Sequence, residues 1–262
     1  MIRTAFVFVG VAILTVVYGS WLLLLARLGA KRTECSCERL AKRWSRAILR
    51  MSGVRVHVEG AERIPEGAPV ILAANHQSWF DVFAMIAHFP GRIRFVAKRE
   101  LENVPVFGPS WKACGHISID REDRGSAIGS LGEASRQVRE GSKIIVMFAE
   151  GTRSPDGRLQ PFKKGAFVLA IQSGVPVLPV ALIGPHDVMP KGAWRIRPGK
   201  IQIKVGTPVP VEGLRHRDRN RLRDEVWREV AILKGDGEEE LVGALHGRND
   251  PIEKGTPGEE EA

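Results

Sequence analysis

Residues 4–26, TAFVFVGVAILTVVYGSWLLLLA, hold no charged side chain. No other stretch limits so sharply what this chain can fold into. As a helix rising about 1.5 Å per residue, the run would extend roughly 34 Å, enough for the hydrocarbon core of a bilayer. A cleaved secretory signal is the competing reading. The run is long for such a segment, and the following ARLGA offers no small-x-small cleavage site, so a retained anchor is expected. Only Arg3 precedes the run, whereas Arg27, Lys31, Arg32, Arg39, Lys42 and Arg43 follow it. Positive charge stays inside, so the downstream chain is expected at the cytoplasmic membrane, on its cytoplasmic face.

The next segment, CERLAKRWSRAILRMSG, sets Leu40, Trp44, Ala47, Ile48 and Met51 at helical spacing opposite Lys42, Arg43, Arg46 and Arg50. Gly53 is a plausible stop. Such a helix can lie in the headgroup layer or dock its apolar face on a neighbouring domain, and the two placements are compatible.

Charge is divided unevenly. The chain of 262 residues carries +9 in total, while 235–262 hold nine acidic residues against Arg248 and Lys254, a net −7 that leaves +16 on residues 1–234. A body so basic seeks anionic partners, whether nucleic acid, an acidic lipid surface or phosphorylated substrates. Nucleic acid is disfavoured. No recognisable binding motif is present, and with one tyrosine and scattered tryptophans there is no aromatic strand for stacking bases. Cys35, Cys37 and Cys114 are too few for a disulfide framework and lack nearby histidines at zinc spacing, so they are expected to be reduced thiols. The expected organisation is 1–53 as membrane-anchoring helices, 54–234 as one main domain and 235–262 as an acidic, disordered tail.

From residue 54 short β-branched runs alternate with helical stretches. Expected strands are VRVHVEG, VILAA, RIRFVAK, HISI, KIIVMF, PVLPVAL and KIQIKVG; expected helices are 82–88, 106–113, 125–140, 165–173 and 215–233. The alternation predicts an α/β fold, a mixed and mostly parallel sheet flanked by helices, with working loops at the carboxyl ends of its strands.

Two clusters fall at such ends. NHQSWFD, residues 75–81, follows VILAA. His76 is poised near neutral pH to accept a proton from a hydroxyl if a carboxylate holds its other ring nitrogen, and Asp81 is within reach to do so. The plainer alternative has Asn75 or Ser78 capping a helix while His76 fills a polar gap. FAEGTRS, 148–154, follows KIIVM. Gly151 permits close approach of backbone to a ligand, Thr152 and Ser154 offer hydroxyls, and Arg153 presents a fork suited to phosphate. A turn held by Glu150 and Arg153 would explain the same residues. GHISIDR, 115–121, ends in Asp120 and Arg121, a weak signal alone. VPVLPVAL, 175–182, reads as a plain core or edge strand. The chain lacks G-x-S-x-G, G-x4-G-K-[ST] and H-E-x-x-H, which removes serine-hydrolase, phosphate-loop and zincin readings.

Taken in order, NHQSWFD, GHISIDR, FAEGTRS and VPVLPVAL resemble the four sequence blocks of the glycerolipid acyltransferase family, specifically the 1-acyl-glycerol-3-phosphate (lysophosphatidic acid) acyltransferases. The likeness spans roughly residues 54–210, bridging segments FVAKREL and VPVFG included. Ala149 stands where many members have proline, and Ser118 where the residue is often bulky and apolar. The resemblance implies acyl transfer from acyl-CoA or acyl-carrier protein to the sn-2 hydroxyl of lysophosphatidic acid, giving phosphatidic acid for phospholipid synthesis. His76 would be the base and Asp81 its orienting acid. Gly151, Thr152 and Arg153 would hold the glycerol phosphate, Glu150 would fix their loop, and Arg121 and Lys98 would be further contacts to phosphate or donor. VPVLPVAL would wall the acyl channel. No metal or bound cofactor is implied. The implied partners are a membrane lipid acceptor, the acyl donor and an anionic membrane surface. Two other readings stay open: a relative acting on glycerol 3-phosphate, another lysophospholipid or a lyso-ornithine lipid, and a non-catalytic, membrane-tethered binder of anionic lipid or nucleic acid.

Overall fold

A computed structural model of the chain describes residues 1–28, 33–119, 135, 138 and 143–236. The expected strands and helices alternate as the hydrophobic pattern requires. Strands β1 (Val54–Glu59), β2 (Val70–Ala74), β3 (Arg92–Lys98), β4 (Ile117–Ile119), β5 (Lys143–Phe148), β6 (Val177–Ile183) and β7 (Gly199–Val205) form one sheet in the order β1-β7-β6-β2-β5-β3-β4. The β6–β7 pair is antiparallel and the other pairs are parallel.

Side chains alternate across a strand, so each inner strand feeds two cores. From β2, Val70, Leu72 and Ala74 enter one cluster, and Ile71 and Ala73 enter the other. The first face is covered by α3 (Trp79–His88), through Phe80, Ala84 and Met85. The second is covered by α5 (Gly165–Ser173) and α7 (Arg219–Lys234), through Phe167, Leu169, Leu222, Val226 and Trp227. The sheet is thus sandwiched between helices, with VPVLPVAL at its buried centre. The helix expected at 125–140 lies outside the described residues, apart from Ser135 and Val138, which are helical.

Helices α1 (Ile2–Arg27) and α2 (Thr33–Ser52) form an antiparallel hairpin. Its seam runs from Gly10, where an added Cβ would fall 2.8 Å from the Met51 sulfur, past the hydrogen bond from Trp44 Nε1 to Thr15 Oγ1 at 3.2 Å, to Leu22 beside Cys37. Helix α2 is docked, the second of its two sequence readings. Ile48 and Leu49 are buried, Trp44 meets Phe83 of α3 edge to face, and Arg43, Arg46 and Arg50 stay exposed. Helix α1 is long and apolar enough to cross a membrane, and both its halves rest on the same body. Near its amino end Val7 joins the core cluster that holds Ile196, and near its carboxyl end Gly19 meets Val106 and Ser110, at the start of α4 (Phe107–Ala113) and within it.

Cys37 and Cys114 form a disulfide between α2 and the end of α4, with Cα atoms 5.6 Å apart. This corrects the expectation of reduced thiols for that pair. Spacing in the chain could not show it, because the docked hairpin brings together residues separated by 77 positions. The Cys35 side chain lies outside the described set.

Candidate active site

Parallel strands β2 and β5 are neighbours in the sheet, with Ala74 opposite Phe148. The loops that follow them, NHQS and AEGTRS, therefore emerge side by side at one edge. Every residue of the first loop is tied down. Asn75 extends the ladder in side-chain form, donating from Nδ2 to Leu182 O at 2.9 Å and accepting the Leu182 N–H on Oδ1 at 2.7 Å. Gln77 Nε2 donates to Gly157 O at 2.8 Å, and Ser78 Oγ donates to Met189 O at 2.7 Å. The His76 carbonyl accepts the Ser154 N–H at 2.7 Å.

Ser78 and Asp81 open α3 with a capping box, which starts the helix at Trp79 rather than at the expected residue 82. Asp81 serves two purposes. Its buried Oδ2 accepts from the Gln77 and Ser78 amides at 2.6 and 2.8 Å and from His76 Nδ1 at 2.6 Å. Helix capping and histidine orientation, posed as alternatives by the sequence, are one arrangement. Because Nδ1 faces a carboxylate it carries the proton, which leaves Nε2 with its lone pair free for a substrate. The imidazole is also stacked on Phe148, ring centroids 3.9 Å apart and planes 10° from parallel. The sequence reading assigned Phe148 no role.

The second loop divides into an inner and an outer part. Glu150 is 2% exposed, and its Oε1 accepts the Gln160 N–H at 3.2 Å. Burial pushes its carboxyl up to about 9, with Asp81 adding to the shift and backbone amides opposing it. At that depth, with the Gln160 N–H on its oxygen, Glu150 lies beneath the loop and faces away from solvent. Gly151 takes φ +77°, a left-handed conformation open to glycine. Thr152 is exposed and its hydroxyl accepts from Lys191 Nζ at 3.2 Å, while the Arg153 guanidinium lies over the Trp79 ring, 5.2 Å from its centroid. Lys191 belongs to a loop between β6 and β7 that carries no recognisable motif, so its approach was not legible in the chain. Lys98 ends β3, two strands from β2 and so about 10 Å away across the sheet, and its ammonium lies 3.7 Å from Glu100. Arg121 lies outside the described residues.

Beside this edge a cavity of about 480 Å³ runs between the α1–α2 hairpin and helices α3 and α4. It reaches from Trp79, Phe80 and Met189, next to the His76 loop, to Leu22, Cys37 and Cys114. No residue of VPVLPVAL lines it. His116 does line it. Burial, reinforced by Arg94, lowers its pKa to about 3, so it is neutral there, and Nδ1 accepts the Phe95 N–H at 3.0 Å. Among the described residues no group of three or more His, Cys, Asp or Glu could hold a metal ion.

The chain is an acyltransferase: residues 55–183 match the family model of that description. It is 34% identical over 214 residues to the 1-acyl-sn-glycerol-3-phosphate acyltransferase alpha of Bos taurus, covering 80% of this chain and 75% of that one. The Homo sapiens protein of the same description is also 34% identical, with 80% and 76% covered. Among solved structures, the 1-acyl-sn-glycerophosphate (LPA) acyltransferase PlsC of Thermotoga maritima superposes with a TM-score of 0.76 at 30% identity, covering 90% of this chain and 96% of that one. Within its class, then, this chain belongs to the family of 1-acyl-sn-glycerol-3-phosphate acyltransferases.

Proposed function

We propose that this protein transfers a fatty acyl group from acyl-CoA or acyl-carrier protein to the sn-2 hydroxyl of lysophosphatidic acid, forming phosphatidic acid. The observation that carries this reading is the juxtaposition of a carboxylate-held imidazole with a cationic loop and an apolar cavity. His76 Nε2 takes the hydroxyl proton as the oxygen attacks the thioester carbonyl, and Asp81 stabilises the resulting imidazolium. Collapse of the tetrahedral adduct breaks the C–S bond, and the imidazolium returns its proton to the departing thiolate. Arg153, Thr152 and Lys191 receive the acceptor's phosphate, and the cavity takes an acyl chain. The thioester is already activated and no phosphoryl group moves, so the residues themselves suffice for this sequence without a metal or bound cofactor.

The lipid acceptor and product place the site at a membrane surface. Helix α1, held to one body along its length, is read as seated in one leaflet, with the catalytic body on the cytoplasmic face that the charge distribution favours. The test is an acceptor panel of lysophosphatidic acid, glycerol 3-phosphate, other lysophospholipids and lyso-ornithine lipid, assayed with wild type and His76→Ala using each donor. Lysophosphatidic acid should be preferred, and the variant should lose about 10²- to 10⁴-fold in rate. Product from another acceptor but none from lysophosphatidic acid would refute the reading.

A further inference from the structure

The segment between α6 (Pro185–Val188) and β7, with sequence MPKGAWRIRP, is held rigidly yet presents its largest side chain outward. A turn opens it: the Ala193 N–H bonds Pro190 O at 3.1 Å, and Gly192 supplies φ +80°. Its far half is pinned from behind. Ile196 is buried and its N–H donates to Thr4 Oγ1 of α1 at 3.2 Å, while the Arg197 N–H bonds Val188 O at 2.9 Å. Between these anchors Trp194 is 60% exposed, flanked by exposed Arg195 and Arg197. Asp187 is the one acid among residues 184–200. An ordered loop that holds a tryptophan in contact with solvent, rimmed by cations, calls for a partner.

We propose that this loop is a second bilayer contact, with Trp194 seated at the headgroup level and Arg195 and Arg197 on the phosphates of anionic lipids. Continuity decides for a membrane over a protein partner. The loop is bonded to the first turn of α1, whose Ile2, Phe6, Val9 and Ile13 are exposed. Tryptophan favours the interface at the end of an apolar helix, and basic side chains are attracted to an anionic leaflet. The contact would hold the edge that bears the Thr152–Lys191 pair against the surface from which the acceptor enters. It rests on the proposed seat of α1 in a bilayer.

The full-length protein would be placed in phosphatidylcholine vesicles containing phosphatidylglycerol and lipids brominated at graded depths, without acyl donor. Wild type, Trp194→Phe and Arg195→Glu/Arg197→Glu would be compared by tryptophan fluorescence. The component lost in Trp194→Phe should be the one quenched by shallow bromines, and the double variant should lose that quenching. Flotation of all three with the vesicles establishes the seat of α1 independently. Flotation with a Trp194 component quenched by aqueous iodide and untouched by brominated lipid would overturn the proposal, as would undiminished shallow quenching in the double variant.

Discussion

Glu150→Gln should stabilise the protein, although it alters the most characteristic loop of the chain. In the folded state burial raises the Glu150 carboxyl to about 9, against 4.5 for an unperturbed glutamate. Below pH 4.5 both states hold the proton and the group makes no difference. As pH rises through that value the unfolded chain ionises while the folded one stays neutral, so stability falls by about 1.4 kcal/mol per pH unit. The loss exceeds about 3 kcal/mol by pH 7 and levels off as pH passes the folded-state value. Glutamine has the shape of the neutral acid and can still accept the Gln160 N–H, but it cannot ionise in either state. At pH 7 the variant should therefore gain about 3 kcal/mol, or about 6 to 12 °C in Tm for a chain of this size. At pH 4.5 it should match wild type. Thermal unfolding in detergent micelles, followed by tryptophan fluorescence from pH 4.5 to 9, measures both. A Tm at pH 8 no higher than wild type, or an unchanged pH slope, would show that Glu150 is ionised in the fold.

Phe148→Leu removes the ring stacked on His76 and keeps most of the buried volume. A stacked pair contributes about 1 kcal/mol, so kcat should fall about fivefold with KM for the acceptor little changed; steady-state kinetics would refute the positioning role if kcat held. The Cys37–Cys114 bond closes a loop of 77 residues, a constraint worth about 4 kcal/mol in the unfolded chain. Reduction, or Cys37→Ser with Cys114→Ser, should lower Tm accordingly. In unreduced, denatured protein a maleimide should label neither residue of the pair, and labelling of both would exclude the bond.

Much of the fold was legible because β2 and β6 are unbroken apolar runs, which only a strand covered on both faces explains. The antiparallel seating of β7 was not, since strand direction is set by where the connection crosses the sheet and leaves no periodicity of its own. His76 and Asp81 could be paired by spacing. That Asp81 also caps α3 required knowing that Ser78 is the cap and that both amides converge on one carboxylate oxygen. For Glu150 the sequence offered a turn contact to Arg153 or a part in fixing the loop, with no sign of its depth. The 158–163 segment folds back beside it, as in the Gln160 N–H to Glu150 bond and the Lys163 N–H to Ala149 O bond, a tertiary event. Lys191 and the cysteine pair were hidden for the same reason: contacts between distant segments have no local signature.

The two loops of the site are mechanically one. The Ser154 N–H bonds the His76 carbonyl, Gln77 reaches Gly157, and Arg153 lies on Trp79 at the start of the helix that Asp81 caps. The guanidinium proposed to receive phosphate and the imidazole proposed to receive the hydroxyl proton are thereby fixed relative to each other. Preorganisation of this type converts binding of a remote group into orientation at the reacting one. In the proposed reaction, an acceptor anchored by its phosphate would present to His76 the hydroxyl at the matching separation along its glycerol backbone. On that proposal, selection among hydroxyls would follow from the fixed spacing between the loops, with no contact needed at the hydroxyls that do not react. Loosening one cross-tie, as at Gln77 or Ser154, should accordingly blur that choice more than it weakens the grip on phosphate.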